Sequence, residues 1–175
     1  MELKETKKAL KLFSDYVIQQ SRTRLTKKKQ NSTNRLYNSL KYSLDEEDDG
    51  FIVDFKMLDY GEYQDKGVRG VGGVRKTTSK FNRRNNKGKL WKQKGGNSPF
   101  SFKEGNKPSV KHFIGWANSK GLSPFAVREA VYHQGITPTQ FFSKSFQEGF
   151  KNLPKELQEA FNLDIEFAIL LAAKK

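Results

Sequence analysis

From residue 66 to residue 107 the chain offers no apolar repeat that a helix or a strand could use. These residues hold eight glycines and thirteen Lys or Arg against one acid, Glu104, with few aliphatic side chains. A segment of this composition cannot bury a face of its own. Whatever folds by hydrophobic patterning must therefore lie before it or after it. Loops of this length are uncommon in compact domains and are usually functional or ordered by a partner. The aromatics inside it, Phe81, Trp91, Phe100 and Phe102, then read as anchors that dock on something.

The part before the loop reads as a helix and a hairpin. Leu3, Leu10, Phe13, Val17 and Leu25 recur near a period of 3.6 over residues 3–27, with Ile18 beside the stripe. Lys27, Lys28 and Lys29 suit the negative end of a helix dipole. After a break at 30–34, residues 35–44 alternate, with Leu36, Leu40, Tyr42 and Leu44 on one side. Phe51, Val53, Phe55 and Met57 alternate over 51–58. The intervening "DEEDDG" ends in Asp-Gly, a hairpin signal.

The part after the loop reads as helices. Ser109 caps a helix carrying Val110, Phe113, Ile114 and Ala117, which Gly121 ends. Ser123 and Pro124 start a second helix, and Gly135 stops it. Pro138 and Thr139 open a third, on which Phe142, Phe146 and Phe150 recur every four residues beside Phe141. The last starts at Pro154, with Glu156 in its first turn and Leu157, Phe161, Ala168, Leu171 and Ala172 as its stripe. The fold class is α+β: an N-terminal helix, an antiparallel β-hairpin or small sheet packed by C-terminal helices, and a long basic glycine-rich loop. A length of 175 residues suits one domain. Its expected parts are 1–65 (helix plus hairpin), 66–107 (extended basic arm) and 108–175 (helical).

Net charge is +14, concentrated as +6 in residues 1–29 and +12 in 66–107, so the remainder is mildly acidic. Such a surface attracts polyanions, nucleic acid above all. A solvated charge run, or a loop facing acidic neighbouring subunits, explains the same charge. The chain has no cysteine, which excludes disulfides and thiolate metal sites. "MELKETKKALKLF" lacks the apolar run of a signal peptide, and "FAILLAA" at 167–173 is too short to cross a bilayer.

No chemistry-bearing constellation emerges. His112 and His133 form no HxxxH or HExxH pair and read as surface or packing histidines. "DEEDDG" lacks the ligand spacing of a calcium loop. "GVRGVGG" at 67–73 is not followed by a helix, as a dinucleotide site requires. Helices split by Gly121 outline a helix-turn-helix. The second of them carries only Arg128 as a cation, and Ala126, Val127, Ala130 and Val131 look made for burial. The sequence points to no enzyme, metal or cofactor.

Two segments carry a resemblance. "YGEYQDKG" at 60–67 resembles the Tyr-Ala-x-Tyr-Val-Glu-x-Gly signature of the tail-completion (head–tail joining) proteins of tailed bacteriophages. "GITPTQFFSKSFQEGFKNLPKELQEAF" at 135–161 resembles their second, Pro-Phe-Leu-x-Pro-Ala type segment, with Phe141 and Phe142 in place of Phe-Leu. Gly61 stands for the usual Ala, Gln64 and Asp65 for Val and Glu, and Ser145 for Pro. The likeness extends over "WANSKGL" and "VYHQGI" and the order of elements.

The resemblance implies structural work in the virion. Six or twelve copies would form a ring at the portal vertex, joining head to tail around the DNA channel and touching portal or adaptor and tail proteins. Tyr60, Tyr63, Gly67, Gly135, Pro138, Phe141 and Phe142 would be the signature residues, with the two tyrosines finishing the packed core. Arg69, Arg75, Lys76, Lys80, Arg83, Arg84, Lys87, Lys89, Trp91, Lys92 and Lys94 would face a neighbouring subunit or, non-specifically, packaged DNA. Assembly would take place in the host cytoplasm. The alternative reading is a basic protein that binds nucleic acid non-specifically, with no membrane involved in either.

Overall fold

The computed structural model describes residues 3–28, 34–47, 50–75 and 89–172. The chain is a mixed helix-and-sheet protein with a long N-terminal helix and small two-stranded antiparallel sheets, as its patterning indicates. It divides into two compact units, the first built from 1–58 with 140–175 and the second from 59–139.

The first unit is organised by helix α1 (Lys4–Lys27). Its expected stripe is the buried face: Phe13, Val17, Ile18 and Leu25 are buried, with Ser14 and Ser21 among them. Strands β1 (Lys41–Glu47) and β2 (Gly50–Lys56) pair antiparallel in the expected hairpin, one residue opposite one along all seven positions. The turn residues 48–49 lie outside the described residues. Tyr42, Leu44, Val53 and Phe55 share the inner face. Phe55 sits at its centre, with ring centroids at 6.1 Å from Phe13, 5.5 Å from Phe142 and 6.0 Å from Phe146. All three contacts are edge-to-face, the arrangement aromatic quadrupoles favour.

Helices α6 (Ser143–Phe150) and α7 (Leu153–Ala172) complete this unit and pack on α1. Phe141 is fully buried against Ile18, Leu25, Leu36 and Leu40; burying a side chain of this size contributes about 1.5–3 kcal/mol. Ser145, where the resembled family has Pro, is also fully buried. Its hydroxyl donates to the Phe141 carbonyl at 2.7 Å and accepts from Arg24 Nε at 3.1 Å. Arg24 reaches Glu148 with its other end. A proline there could make neither bond of the Ser145 hydroxyl.

Three expectations are corrected here. Residues 35–39 form a short helix, α2 (Arg35–Ser39), and the strand starts only at Lys41. Leu36 and Leu40 are four apart, a spacing that suits an even-period strand and a helical turn alike, and both are buried. Helix α6 begins at Ser143 rather than at Pro138. On α7, Phe161 is exposed, and the buried stripe runs Leu153, Ala160 and Asp164 with Leu157 half-buried. Asp164 belongs to that stripe because its carboxylate accepts the backbone N–H groups of Glu5 (3.0 Å) and Thr6 (2.9 Å) and the Thr6 hydroxyl (2.8 Å). Leu3, at the N-cap of α1, has no side chain able to do this. Burial pushes the Asp164 pKa up, but these donors outweigh it and hold the carboxyl below its ordinary range. The side chains of Ala168, Leu171 and Ala172 lie outside the described residues.

The second unit holds helix α3 (Tyr60–Lys66), the two-residue strands β3 (Val68–Arg69), β4 (Val74–Arg75) and β5 (Lys89–Leu90), helices α4 (Ile114–Ser119) and α5 (Pro124–Gln134), and strand β6 (Gly135–Ile136). β3 pairs with β6 and β4 with β5, both antiparallel. Helix α5 starts with Pro124 at its first position and stops at Gly135, as expected. The helix expected from Ser109 is split instead. A short 3₁₀ turn, Val110–His112, comes first, with Ser109 Oγ accepting the Lys111 N–H at 3.4 Å.

Candidate assembly interface

The segment that carries the signature is helical. Helix α3 places Glu62 in its first turn and Lys66 in its last, where each suits the helix dipole, and the two pair at 2.7 Å. Gly67 ends the helix at φ +75°. A β-carbon there would lie 2.7 Å from the Ile136 carbonyl oxygen and 2.8 Å from the Pro138 nitrogen. Only glycine fits both that backbone and that approach. β3 and β6 then pair Val68 with Ile136 and Arg69 with Gly135. Three positions beyond Ile136, Thr139 donates its backbone N–H (3.0 Å) and its hydroxyl (2.8 Å) to the Gln64 carbonyl, a helix-terminal acceptor without an intrahelical partner. Residues 60–67 and 135–139, about seventy positions apart, thus form one substructure.

The signature residues divide by burial. Gly67 and Gly135 are buried and Pro138 is half-buried, while in the first unit Phe141 is buried and Phe142 half-buried. Tyr60 and Tyr63 are not core residues: they are 40% and 45% exposed. The buried positions of α3 are Gly61 and Asp65. A helix with a single buried side turns the tyrosines, three residues apart, outward together. Tyr63 meets Phe100 edge-on at 4.7 Å, and the Lys66 ammonium lies 5.9 Å from the Phe100 ring centroid.

The expected arm is, in its described parts, folded. Arg69 N–H donates to the Phe100 carbonyl and Phe102 N–H to that of Arg69, so 100–102 runs beside β3. Val71 and Gly72 donate to the carbonyls of Tyr132 and His133, Trp91 to Gly73, and Lys94 to Gln134. Ser98 Oγ donates to the Gly67 carbonyl at 2.7 Å. Trp91 stacks on His133, ring centroids 5.5 Å apart and planes within 3°. His133 Nδ1 lies 2.6 Å from the Gly72 carbonyl, an acceptor only, so Nδ1 carries the proton. Residues 66–75 and 89–107 are therefore part of the second unit, held by backbone bonds and not by an apolar period. Trp91, Phe100 and Phe102 are anchors, as expected, but onto this unit itself; Phe102 packs on Tyr132.

Glu129 gathers Lys107 and its α5 neighbour Arg128. Its carboxylate accepts Lys107 Nζ at 2.9 Å and Arg128 at 2.7 Å, with His133 Nε2 at 3.6 Å. The Lys107 hydrogen bond, helped by Arg128 and opposed by burial, holds the Glu129 carboxyl below its ordinary range. His112 is exposed.

Of the expected contact cations, Arg69, Lys92 and Lys94 are exposed and have no ion-pair partner among the described residues. The backbones of Arg75 and Lys89 pair in β4 and β5, and their side chains lie outside the described residues. Lys76, Lys80, Arg83, Arg84, Lys87 and Phe81 also lie outside them. The second unit holds 16 Lys and Arg against five acids, while the first holds 17 against 14, so +11 of the +14 resides in residues 59–139.

Gln64, Ser98 and Thr139 hold the signature substructure together and carry no signal in the sequence, because all three act with or on backbone groups. Ile114, expected on a buried stripe, is 43% exposed, and Ala126 is exposed as well. Among the described residues no group of three or more His, Asp and Glu is placed to hold a metal ion, and no helix is long and apolar enough to cross a membrane. The chain matches no protein-family model, no curated protein and no solved structure.

Proposed function

We propose that this chain is a structural, non-enzymatic subunit of a bacteriophage neck. It is a tail-completion protein that closes into a ring of six or twelve copies at the portal vertex, assembled in the host cytoplasm and carried in the virion. Portal or adaptor proteins and tail proteins are its neighbours, and packaged DNA passes beside it.

The observation that carries this reading is the exposure of Tyr60 and Tyr63. Both tyrosines belong to the resembled signature, yet the subunit leaves both outside its core. Tyrosine joins a large apolar ring to a polar hydroxyl and is a frequent anchor of protein interfaces. The buried side of α3 holds the subunit together, and the tyrosine side is left for a neighbour. A Y60A/Y63A double variant tests this. It keeps the monomer folded, losing about 1 kcal/mol with the Tyr63–Phe100 contact, and fails to assemble into particles. Normal incorporation of the variant overturns the reading.

The charge distribution favours a second reading, a non-specific nucleic-acid binder. Arg69, Lys92 and Lys94 are exposed cations without an ion-pair partner among the described residues, on the strongly basic unit. Its mark is binding of arbitrary duplex DNA by the monomer, with affinity falling steeply as salt rises.

A further inference from the structure

The α4–α5 region of the second unit turns apolar side chains to solvent. Ile114, Trp116, Leu122 and Phe125 are 43%, 45%, 49% and 63% exposed within twelve residues. The surroundings are cationic. No acid occurs between Glu104 and Glu129. Lys111 and Lys120 are exposed without an ion-pair partner among the described residues, and the Arg128 guanidinium lies 5.8 Å from the Phe125 ring centroid. Trp116 and Lys120 are four residues apart, on one side of α4 and its C-cap. An apolar surface rimmed by cations selects an apolar surface rimmed by carboxylates.

The hairpin of the first unit supplies such a surface. Its outer face, near the turn, carries Asp45, Glu47 and Asp54 around Ile52, with Asp45 directly opposite Ile52 in the register. Ile52 is 42% exposed. The three carboxylates are exposed and have no ion-pair partner among the described residues. Glu46, on the inner face, differs in pairing with Lys7 at 2.9 Å.

We propose that these two faces meet between copies: the acidic outer face of one chain's hairpin docks on the α4–α5 face of another chain. This rests on reading the chain as a self-assembling subunit, and it names one pair of surfaces, besides the tyrosine side of α3, through which copies meet. The two faces differ, so the contact is heterologous. Each added copy leaves one face of each kind open until the series closes on itself, which is the geometry that builds rings.

The test uses two full-length variants, D45K/D54K and K111E/K120E, in sedimentation velocity over a concentration series. All four positions are exposed, so both variants keep the wild-type circular dichroism spectrum. Wild-type protein associates; each variant alone stays monomeric where the wild type assembles. A one-to-one mixture regains association, because each variant brings one unaltered face to its complement. A misfolded variant would not be rescued by mixing. If both variants assemble like the wild type, or the mixture stays monomeric, these are not the contact faces, and self-assembly through other surfaces stands. If the wild type itself stays monomeric throughout, both the faces and self-assembly are overturned.

Discussion

The Gln64 carbonyl accepts both the backbone N–H and the hydroxyl of Thr139, at 3.0 and 2.8 Å. One oxygen thus joins the end of the signature helix to the segment that follows α5. Gly67 lets the two come together, since any β-carbon there would enter the backbone at Ile136 and Pro138. Replacing Gly67 by Ala should cost about 1–3 kcal/mol from the left-handed backbone alone, with the clash in addition. Thr139→Val, which keeps the N–H bond and loses the hydroxyl, should cost about 1 kcal/mol. Urea denaturation checks both. A Gly67→Ala protein as stable as the wild type would contradict the pairing of β3 with β6.

Asp164 makes the stability of the first unit depend on acid. Its folded pKa lies below the unfolded value, so its contribution is present above the unfolded pKa of about 3.9 and is lost as pH falls through the folded pKa. Asp164→Asn should destabilise by about 1–2 kcal/mol at pH 7. The difference from the wild type should close as the pH drops below about 4. A difference that stays constant between pH 7 and pH 2 would show that the charge plays no part in capping α1.

The ends of the basic segment should be protected from hydrogen exchange. The amides of Arg69, Val71, Gly72, Trp91 and Lys94 donate to carbonyls within the second unit. They should exchange in step with the amides of α5, not at the rate of an open chain. Free exchange at these five positions in the isolated protein would restore the picture of an arm that orders only on a partner.

Purified monomer should show little affinity for arbitrary duplex DNA at physiological salt. Strong binding, with log K falling by about 0.9 per phosphate contacted for each tenfold rise in salt, would favour the nucleic-acid reading over the neck reading.

What was legible in the sequence follows from what periodicity reports. The α1 stripe and the β1–β2 hairpin came through because each buries one face of a regular element against a core. Leu36 and Leu40 did not, since a spacing of four serves strand and helix equally. Asp164 was missed because a stripe search looks for apolar residues, and its role is to satisfy backbone donors 158 residues away. The signature glycines were recognisable by likeness, but the exposure of Tyr60 and Tyr63 was not. Which side of a short helix is buried depends on partners remote in sequence, which its own residues do not encode. The folded ends of 66–107 were hidden for the same reason: backbone groups hold them, and backbone groups are common to every sequence.

The most direct test of the proposed neck role is cryo-electron microscopy of the purified phage particle. The account predicts density for this protein as a closed ring at the portal–tail junction, with Tyr60 and Tyr63 buried against a neighbouring protein. A particle whose portal–tail junction lacks this chain would contradict it.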